Sequence, residues 1–328
     1  MRLRPGIDGI TLIARAIFGR PKWLSKHFRT ESPSNDIVNT IHDEKKSPEK
    51  IIAFEKIKPY GQFSFKARKS LANSSSHLPI ITYHHHLPSN LKESSIFQRG
   101  SVTNTLESFA DQISWLHENG YSTLTLSEFE SYLDGFYPLE QQKKILITFD
   151  DGHLSLARFC YPILKQFNFT AVVFLITGYQ PIFKENQFNP NKLQYISREE
   201  MKNLSDVFEW GAHTHKLHFR DKDKISRLIS IGTQDMISDA IQNRELLNGT
   251  KHFCFPFGQY NQTIIDTLAK IGFKYFYTTE KGFATPDPNN EIHLIRRLNI
   301  SPRMSISNFS SILKNNQNIA PATLAGAD

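Results

Sequence analysis

Cysteine is scarce in this chain, and long apolar runs are missing. The 328 residues contain two cysteines, Cys160 and Cys254, and no Cys-x-x-Cys pair, which excludes a disulfide framework and a cysteine-rich zinc site. A single disulfide between them stays open, so the cysteines do not settle the redox compartment. The longest apolar runs, 10–18 and 171–177, are too short for a bilayer or contain Arg15. The sequence therefore predicts no membrane-crossing segment.

An excess of acidic residues is also missing, and the basic excess is unevenly distributed. The net charge is +7, from 39 Lys and Arg against 32 Asp and Glu. Residues 1–79 hold 15 basic and 7 acidic side chains, which leaves 24 basic and 25 acidic ones in the rest. An enzyme acting on nucleic acid is expected to concentrate positive charge near its site. The balanced body of the chain therefore disfavours nucleic acid as a partner.

Apolar and aromatic residues are plentiful. They make up 39% and 12% of the chain, with 25 Phe, which excludes a mainly disordered protein. The length suits two domains or one α/β barrel, and it allows a core that needs neither disulfide nor structural metal.

Residues 1–30 form a basic segment with seven Lys or Arg and one acid, Asp8. Apolar residues recur there at helical spacing, but Asp8 and Arg15 interrupt them, so we do not expect a cleaved secretory signal. A basic amphipathic helix on an anionic membrane surface, a helix packed on the main domain and a frayed tail all fit. We therefore expect a cytoplasmic or membrane-peripheral protein rather than a secreted one.

From Leu78 onward, strand and helix patterns alternate, which predicts parallel βαβ units in a barrel or a doubly wound sheet. The predicted strands are 78–84, 122–126, 144–149, 170–177, 209–214, 252–257, 274–278 and 292–300. The predicted helices are 106–119, 127–133, 154–167, 197–204, 233–247, 260–271 and 305–314. In such folds the chemistry lies at the carboxyl ends of the strands.

Two adjacent carboxylates, Asp150 and Asp151, directly follow the strand predicted at 144–149, and Gly152 and His153 come next. Adjacent carboxylates at the end of an apolar strand repel each other unless a cation or a proton relieves them. A helix-capping turn explains one aspartate, but it does not explain two together with a histidine.

Three histidines, His213, His215 and His218, lie within six positions at the end of the strand predicted at 209–214. A lone histidine is more often a core or surface residue, but neutral imidazole is also a ligand of zinc and similar ions. One carboxylate and two imidazoles leave coordination positions for water and substrate, as in catalytic sites. Together with the paired aspartates, the cluster predicts a catalytic metal site.

The segments Thr-Phe-Asp-Asp-Gly at 148–152 and Gly-Ala-His-Thr-His-Lys-Leu-His at 211–218 closely resemble the first two motifs of the polysaccharide deacetylases, which are metal-dependent carbohydrate esterases. The segment Pro-Ile-Ile-Thr-Tyr-His-His at 79–85 is similar to the first strand of the branch that acts on poly-N-acetylglucosamine. Further similarity to that branch is found at 121–129, 255–258 and 277–279.

The resemblance implies a distorted (β/α) barrel with a basic N-terminal extension. We expect the extension and a polar connector over 1–77, the deacetylase domain over 78–318 and a C-terminal tail over 319–328. The metal is expected to be a divalent ion, with Zn²⁺ as the first candidate.

The same resemblance implies a role for each matched residue. Asp150 would be the general base, Asp151 the carboxylate ligand of the metal, and His213 and His218 the imidazole ligands. His215 falls in neither ligand position.

The groove is expected to be formed by other matched residues. Thr214 would hold the histidine loop by a hydrogen bond and Arg297 would contact the substrate. Pro256, Phe257 and Gly258 would form a groove wall, with the backbone N–H of Phe257 as a candidate oxyanion donor.

Two positions depart from the family pattern. Cys254 stands where the third motif usually has an arginine, and the strand at 294–300 lacks the histidine that usually supplies the acid. Arginine cannot donate a proton near neutrality, so Arg297 is not a replacement. His84, at a predicted strand end, is the candidate for this assistance. His293 is a weaker one, because it fits a solvated strand start equally well.

These features predict a metal-dependent N-deacetylase that acts on N-acetylhexosamine units of a polysaccharide or a lipid-linked sugar. The alternatives are a catalytically silent carbohydrate-binding relative and a deacylase of a non-sugar amide. A binding module has no need of Asp150, and only the missing arginine and acid histidine favour it. The segment 1–30 favours a lipid-linked aminosugar through its predicted membrane contact.

Overall fold

Seven parallel strands close into a ring at the centre of the fold. The computed structural model describes residues 77–137, 139 and 143–314, which lie in the second of the two units of the chain, Ser70–Asp328. The strands are β1 (Leu78–Tyr83), β2 (His85–Leu87), β3 (Thr103–Thr105), β4 (Tyr121–Thr123), β5 (Lys143–Phe149), β6 (Ala171–Leu175), β7 (Phe208–Ala212), β8 (His252–Cys254), β9 (Tyr275–Lys281), β10 (Phe283–Ala284) and β11 (His293–Asn299).

Helices alternate with these strands along the chain. They are α1 (Ser89–Glu93), α2 (Leu106–Glu118), α3 (Leu126–Leu133), α4 (Tyr161–Gln166), α5 (Arg198–Leu204), α6 (Arg227–Ser230), α7 (Thr233–Leu246), α8 (Gln262–Ile271) and α9 (Ile306–Lys314). A π-helical turn over Leu156–Cys160 precedes α4, and a 3₁₀ turn over Pro256–Gly258 follows β8.

The ring runs in the order β1-β11-β9-β8-β7-β6-β5 and closes where β5 pairs with β1. The closing register joins Ile80 to Leu146 and Tyr83 to Phe149, in parallel. Outside the ring, β10 runs antiparallel to β1 and β4 parallel to β5. The register between β9 and β11 shifts at Ile295. The prediction of a distorted (β/α) barrel is therefore confirmed, and the doubly wound sheet is excluded.

The core fills and surrounds this ring. Strands β1 and β6 are buried along their whole length, as expected of parallel strands that are covered on both faces. Helix α2 buries Phe109, Ile113 and Leu116 at spacings of three and four residues, and Thr105 accepts a hydrogen bond from the Ser108 amide as its N-cap. The helix predicted at 106–119 therefore forms, and it ends one residue earlier, at Glu118.

Two predicted strands end earlier than expected and one predicted helix is interrupted, each for a local reason. The helix predicted at 154–167 is broken by a π-helical turn, because Pro162 has no N–H for a regular turn. The strand predicted at 252–257 ends at Cys254, because Pro256 begins the 3₁₀ turn. The strand predicted at 122–126 ends at Thr123, because Thr125 and Glu128 form a capping box that begins α3.

The predictions for the chain ends fall outside the described residues. These are the basic amphipathic helix within 1–30, the connector over 31–77 except its last residue, and the tail over 319–328. None of the helices in the described residues is long and apolar enough to span a membrane. The domain boundaries, the membrane contact and the cellular location stay predictions.

Candidate active site

All seven ring strands are parallel, so their carboxyl ends meet at one end of the barrel. Asp150 and Asp151 follow β5 and His213 follows β7, while Cys254 ends β8. The structure brings these residues together, as a site at the carboxyl ends of the strands requires.

Asp151, His213 and His218 form a cluster that could hold a metal ion. Oδ1 of Asp151 lies 3.5 Å from Nε2 of His213 and 3.2 Å from Nε2 of His218. The backbone of Asp151 is left-handed, with φ of 73°, a conformation that costs about 1–3 kcal/mol in a residue other than glycine. Gly152 follows with φ of 74°, and a Cβ there would overlap Leu175. The turn therefore holds the carboxylate in a position that the chain would not adopt on its own.

The imidazole of His213 is oriented by its backbone partner. Its Nδ1 lies 2.7 Å from the carbonyl oxygen of Cys254. A carbonyl oxygen can only accept a hydrogen bond, so Nδ1 carries the proton and the lone pair of the neutral ring lies on Nε2, beside Asp151. This tautomer is the one that a metal ligand needs.

The donor set suits a divalent metal. Oδ1 of Asp151 is buried without a hydrogen-bond partner among the described residues, although it lies beside two imidazole nitrogens. An unpaired buried carboxylate oxygen is costly, and a cation held by one carboxylate and two imidazoles would remove that cost. This set is one that zinc accepts with positions left for water and substrate.

The neighbouring Asp150 has a different partner. Arg297 donates from Nη1 to Oδ1 at 2.7 Å and from Nη2 to Oδ2 at 2.8 Å. Burial raises the pKa of the Asp150 carboxyl, but the charge and hydrogen bonds of Arg297 outweigh burial and lower the pKa to about 2. Asp150 is therefore ionised over the ordinary pH range.

Arg297 does not line the groove, so the expected substrate contact is wrong. Its side chain is fully buried, with 0% exposure. Besides the pair with Asp150, Nε donates to the Thr278 carbonyl at 2.9 Å and Nη1 to Thr82 Oγ1 at 3.0 Å. The guanidinium is held from several strands of the ring and cannot reach a sugar.

Thr214 is tied to the end of the neighbouring strand through its backbone, because the Thr177 amide donates to the Thr214 carbonyl at 3.3 Å. The residue is 0% exposed, and its Oγ1 has no hydrogen-bond partner among the described residues, so it neither contacts substrate nor holds the loop through its hydroxyl. The histidine loop is also held by Asp239, which accepts from the amides of His215 and Lys216 at 2.8 and 2.6 Å. Sequence reasoning missed Asp239, which lies in the middle of α7 and carries no motif.

His215 and His293 are occupied elsewhere. Nδ1 of His215 lies 2.9 Å from Thr177 Oγ1, outside the metal cluster, as the sequence predicts. His293 begins β11, is buried and stacks on Tyr275. It therefore lies at the amino end of the strand, whereas Arg297 lies four residues further toward the site, and the weaker acid candidate is ruled out.

His84 lies beside the paired carboxylate. Its Nε2 is 3.8 Å from Oδ2 of Asp150, and its side chain is 28% exposed. Of the two histidines proposed to assist the acid step, it is the one that the structure places at the site.

The 3₁₀ turn after β8 places Phe257 against the metal cluster. The ring of Phe257 lies 4.6 Å from the ring of His218, and the Arg220 guanidinium lies 4.1 Å above it. Phe257 and Gly258 are partly exposed, as a groove wall requires. Pro256 begins the turn and is buried, so it does not face the groove as the other two residues of the expected wall do.

His153 is a residue near the site that received no role from the sequence. Its Nε2 lies 3.2 Å from Oδ2 of Asp151. The signal was its position directly after the Asp-Asp-Gly turn, but spacing alone does not say which carboxylate it would contact.

The comparisons with known proteins agree with this geometry. A family model described as "Polysaccharide deacetylase" matches residues 139–276. The poly-beta-1,6-N-acetyl-D-glucosamine N-deacetylase of Staphylococcus aureus (strain MSSA476) is 32% identical over 203 residues, which are 59% of this chain and 66% of that relative. Residues 139–276 are therefore the part of the chain that matches the polysaccharide deacetylase family. The matched part spans just under two thirds of the Staphylococcus protein.

Two solved structures share the fold of this chain. IcaB from Ammonifex degensii has a TM-score of 0.59 at 25% identity, over 73% of this chain and 97% of IcaB. The Streptococcus pyogenes deacetylase PplD, solved in complex with acetate, has a TM-score of 0.58 at 23% identity, over 73% of this chain and 99% of PplD. Both support the barrel described above.

The departure from the family pattern at Cys254 has a structural counterpart. Sγ of Cys254 lies 3.1 Å from Nη2 of Arg297 and 3.5 Å from Oδ2 of Asp150. The guanidinium beside Asp150 comes from β11, and the smaller cysteine side chain on β8 lies against it. The chain thus keeps an arginine on Asp150 although its third motif has none.

Proposed function

We propose that this protein is a metal-dependent N-deacetylase that removes acetyl groups from N-acetylglucosamine units of a polysaccharide. The observation that carries the proposal is the separation of two adjacent carboxylates onto different partners. Asp151 faces two imidazoles, whereas Asp150 is paired with Arg297. A structural metal site needs no second ionised carboxylate beside it, whereas hydrolysis of an amide needs a base for water.

The substrate class is supported by the relatives. The Staphylococcus aureus protein is named for poly-beta-1,6-N-acetyl-D-glucosamine, and the described residues form a barrel shared with IcaB. A polysaccharide is therefore preferred over a lipid-linked sugar, whose support is the predicted membrane contact of residues 1–30.

Asp151, His213 and His218 would hold the metal, with zinc as the expected ion. When bound, such an ion lowers the pKa of water and polarises a carbonyl group. The residues of the chain account for the proton transfers and the orientation of the substrate.

Asp150 is the proposed base. It removes a proton from the attacking water, whose oxygen adds to the acetamide carbonyl carbon. Arg297 keeps Asp150 ionised and fixes the plane of its carboxylate. The N–H of Phe257 is the proposed donor to the oxyanion.

His84 is the proposed acid. Breaking the C–N bond requires a proton on the leaving nitrogen. His84 lies 3.8 Å from Asp150 on the exposed side of the pair, so the proton taken from water can be returned through this imidazole. The products are acetate and a free amine.

The test is acetate release by the purified, zinc-loaded protein, with and without a chelator. The panel contains β-1,6-linked N-acetylglucosamine oligomers, chitooligosaccharides, peptidoglycan and a lipid-linked N-acetylhexosamine. We expect release from the β-1,6-linked oligomers that stops with chelator and returns with added zinc.

Each other result changes the proposal in a defined way. Release from the lipid-linked sugar alone would replace the polysaccharide. Release that chelator leaves unchanged would contradict metal dependence. Binding to the oligomers without release, by protein shown to hold zinc, would favour the silent carbohydrate-binding relative.

A further inference from the structure

The imidazole of His153 contacts one oxygen of the Asp151 carboxylate, and the metal cluster involves the other. Nε2 of His153 lies 3.2 Å from Oδ2, while Oδ1 lies 3.2 Å from Nε2 of His218. A carboxylate can only accept a hydrogen bond, so Nε2 of His153 is the donor. The two oxygens of one ligand are thus divided between an orienting contact and the metal cluster.

The ring of His153 is itself held in place. It is buried, and it packs edge-to-face on His85, with ring centroids 5.2 Å apart, and against Tyr195 at 5.3 Å. An isolated antiparallel bridge joins His153 to Tyr195. On either side of it, the Leu154 amide donates to the Gln194 carbonyl at 2.7 Å, and the Ile196 amide donates to the Gly152 carbonyl at 3.0 Å.

Three features of Asp151 explain why its carboxylate needs a contact such as the one from His153. Its backbone lies in the left-handed region, its side chain is short, and Oδ1 has no hydrogen-bond partner among the described residues. A carboxylate held at neither oxygen would be free to turn Oδ1 away from the two imidazoles.

We propose that His153 is a positioning residue that fixes the Asp151 carboxylate through Oδ2, so that Oδ1 is directed to the metal position between His213 and His218. The inference rests on the proposed function, since it assigns the metal to these residues. It also links the segment around Tyr195 to the metal ligand, because the Tyr195 ring packs against the His153 ring and the two backbones pair.

The test compares the zinc affinity of the wild type with three variants, using a chromophoric chelator in competition. His153→Leu removes the donor but keeps an apolar volume, and His153→Gln keeps an N–H near the position of Nε2. His252→Leu is the matched control, because His252 is also buried and contacts a carboxylate, Glu130, at 3.0 Å, but at the start of β8. Loss of partners to bound carboxylates typically weakens metal affinity about 10- to 100-fold.

We expect His153→Leu to lose about 10- to 100-fold in zinc affinity, His153→Gln to stay within a few-fold of the wild type, and His252→Leu to bind zinc normally although it is less stable. The visible absorption of cobalt-loaded protein should change in His153→Leu and not in His252→Leu. If His153→Leu does not fold, His153→Asn replaces it, because the shorter amide cannot reach Oδ2.

Equal zinc affinity and equal cobalt spectra in His153→Leu and the wild type would overturn the inference while leaving deacetylation untouched. An equal loss of zinc affinity in His153→Leu and His252→Leu would also overturn the inference. A wild type that takes up no metal would overturn the inference and the metal dependence together. A wild type that binds zinc, releases no acetate and still shows the affinity pattern would support the inference and contradict the proposed function.

Discussion

At the scale of single residues, the two neighbouring aspartates differ because the chain gives each a different partner. The left-handed turn at Asp151 and Gly152 directs one side chain to the histidines. Asp150, one position earlier, stays in line with the strand and meets Arg297 from β11. Two adjacent side chains of one motif thus receive different partners, as their separate expected roles require.

The pairing with Arg297 has a consequence for pH dependence. Arg297 lowers the pKa of Asp150 to about 2, against the effect of burial. Arg297→Met removes the charge and leaves the carboxylate buried, so the pKa should rise above its ordinary value. Asp150 would then be protonated at a higher pH, and the acid limb of the kcat/KM profile should move to higher pH. Breaking a buried pair also costs about 3–5 kcal/mol of stability.

Two further variants make the measurement specific. Arg297→Lys keeps the charge without the bidentate geometry, and we expect a smaller displacement of the acid limb. Arg296→Met is the matched control, because Arg296 is the adjacent residue and lies near Glu280 instead, at 3.4 Å. If the pH profiles of kcat/KM for the Arg297 variants overlap the wild-type profile, the pKa of Asp150 does not depend on its pairing with Arg297.

The sequence predicts part of this site and not the rest. The residues at 150, 151, 213 and 218 stand in short local motifs, and local spacing places them at strand ends that the parallel fold brings together. The Arg297 and Asp239 contacts were not predicted, because they join residues far apart in the chain: Arg297 is 147 positions from Asp150, and Asp239 is 24 from His215. Such contacts depend on strand order and on how helices pack, which no local pattern contains.

At the scale of elements, the turn after β8 shows why a glycine is needed beside the groove. Gly258 has φ of 69°, and a Cβ there would overlap the Thr279 side chain on β9. Phe257, the preceding residue, is also left-handed, with φ of 59°. The turn is thus pressed against the next strand while it holds Phe257 beside His218.

Gly258→Ala should therefore lose both stability and activity. The matched control is Gly120→Ala, because Gly120 also has a positive φ, of 75°, but nothing lies within 4 Å of an added Cβ. The left-handed backbone alone costs about 1–2 kcal/mol, so both variants should be destabilised in urea unfolding. Only Gly258→Ala should also move Phe257 and lower kcat/KM, by about 10- to 100-fold. Equal stability and full activity in both variants would contradict this view of the turn.

Element prediction succeeded where periodicity and caps agree. The helix predicted at 260–271 ends at Ile271 as predicted, because Gly272 caps it in the left-handed conformation with φ of 109°. The short strands β2, β3 and β10, of three, three and two residues, were not predicted. Two or three residues are too few to show the alternation of apolar and polar side chains that indicates a strand. Their pairing depends on neighbours supplied by the fold.

At the scale of the whole molecule, the parallel pairing of β1 with β5 makes the site. It closes the ring, and it brings the end of β1, with His84, to the end of β5, with Asp150. Alternating strands and helices predict parallel strands but leave barrel and open sheet equally compatible. The motif resemblance was what favoured the barrel, and the closing register confirms it.

The central claim is that Asp150 acts on water while Asp151 holds the metal. It is tested most directly by the turnover of zinc-loaded Asp150→Asn protein, measured as acetate release after its metal content has been determined. We expect zinc to be retained and turnover to fall about 10²-fold or more, as for other general bases, whereas Asp151→Ala and His213→Ala should lose the metal. Full turnover by metal-loaded Asp150→Asn would contradict the account.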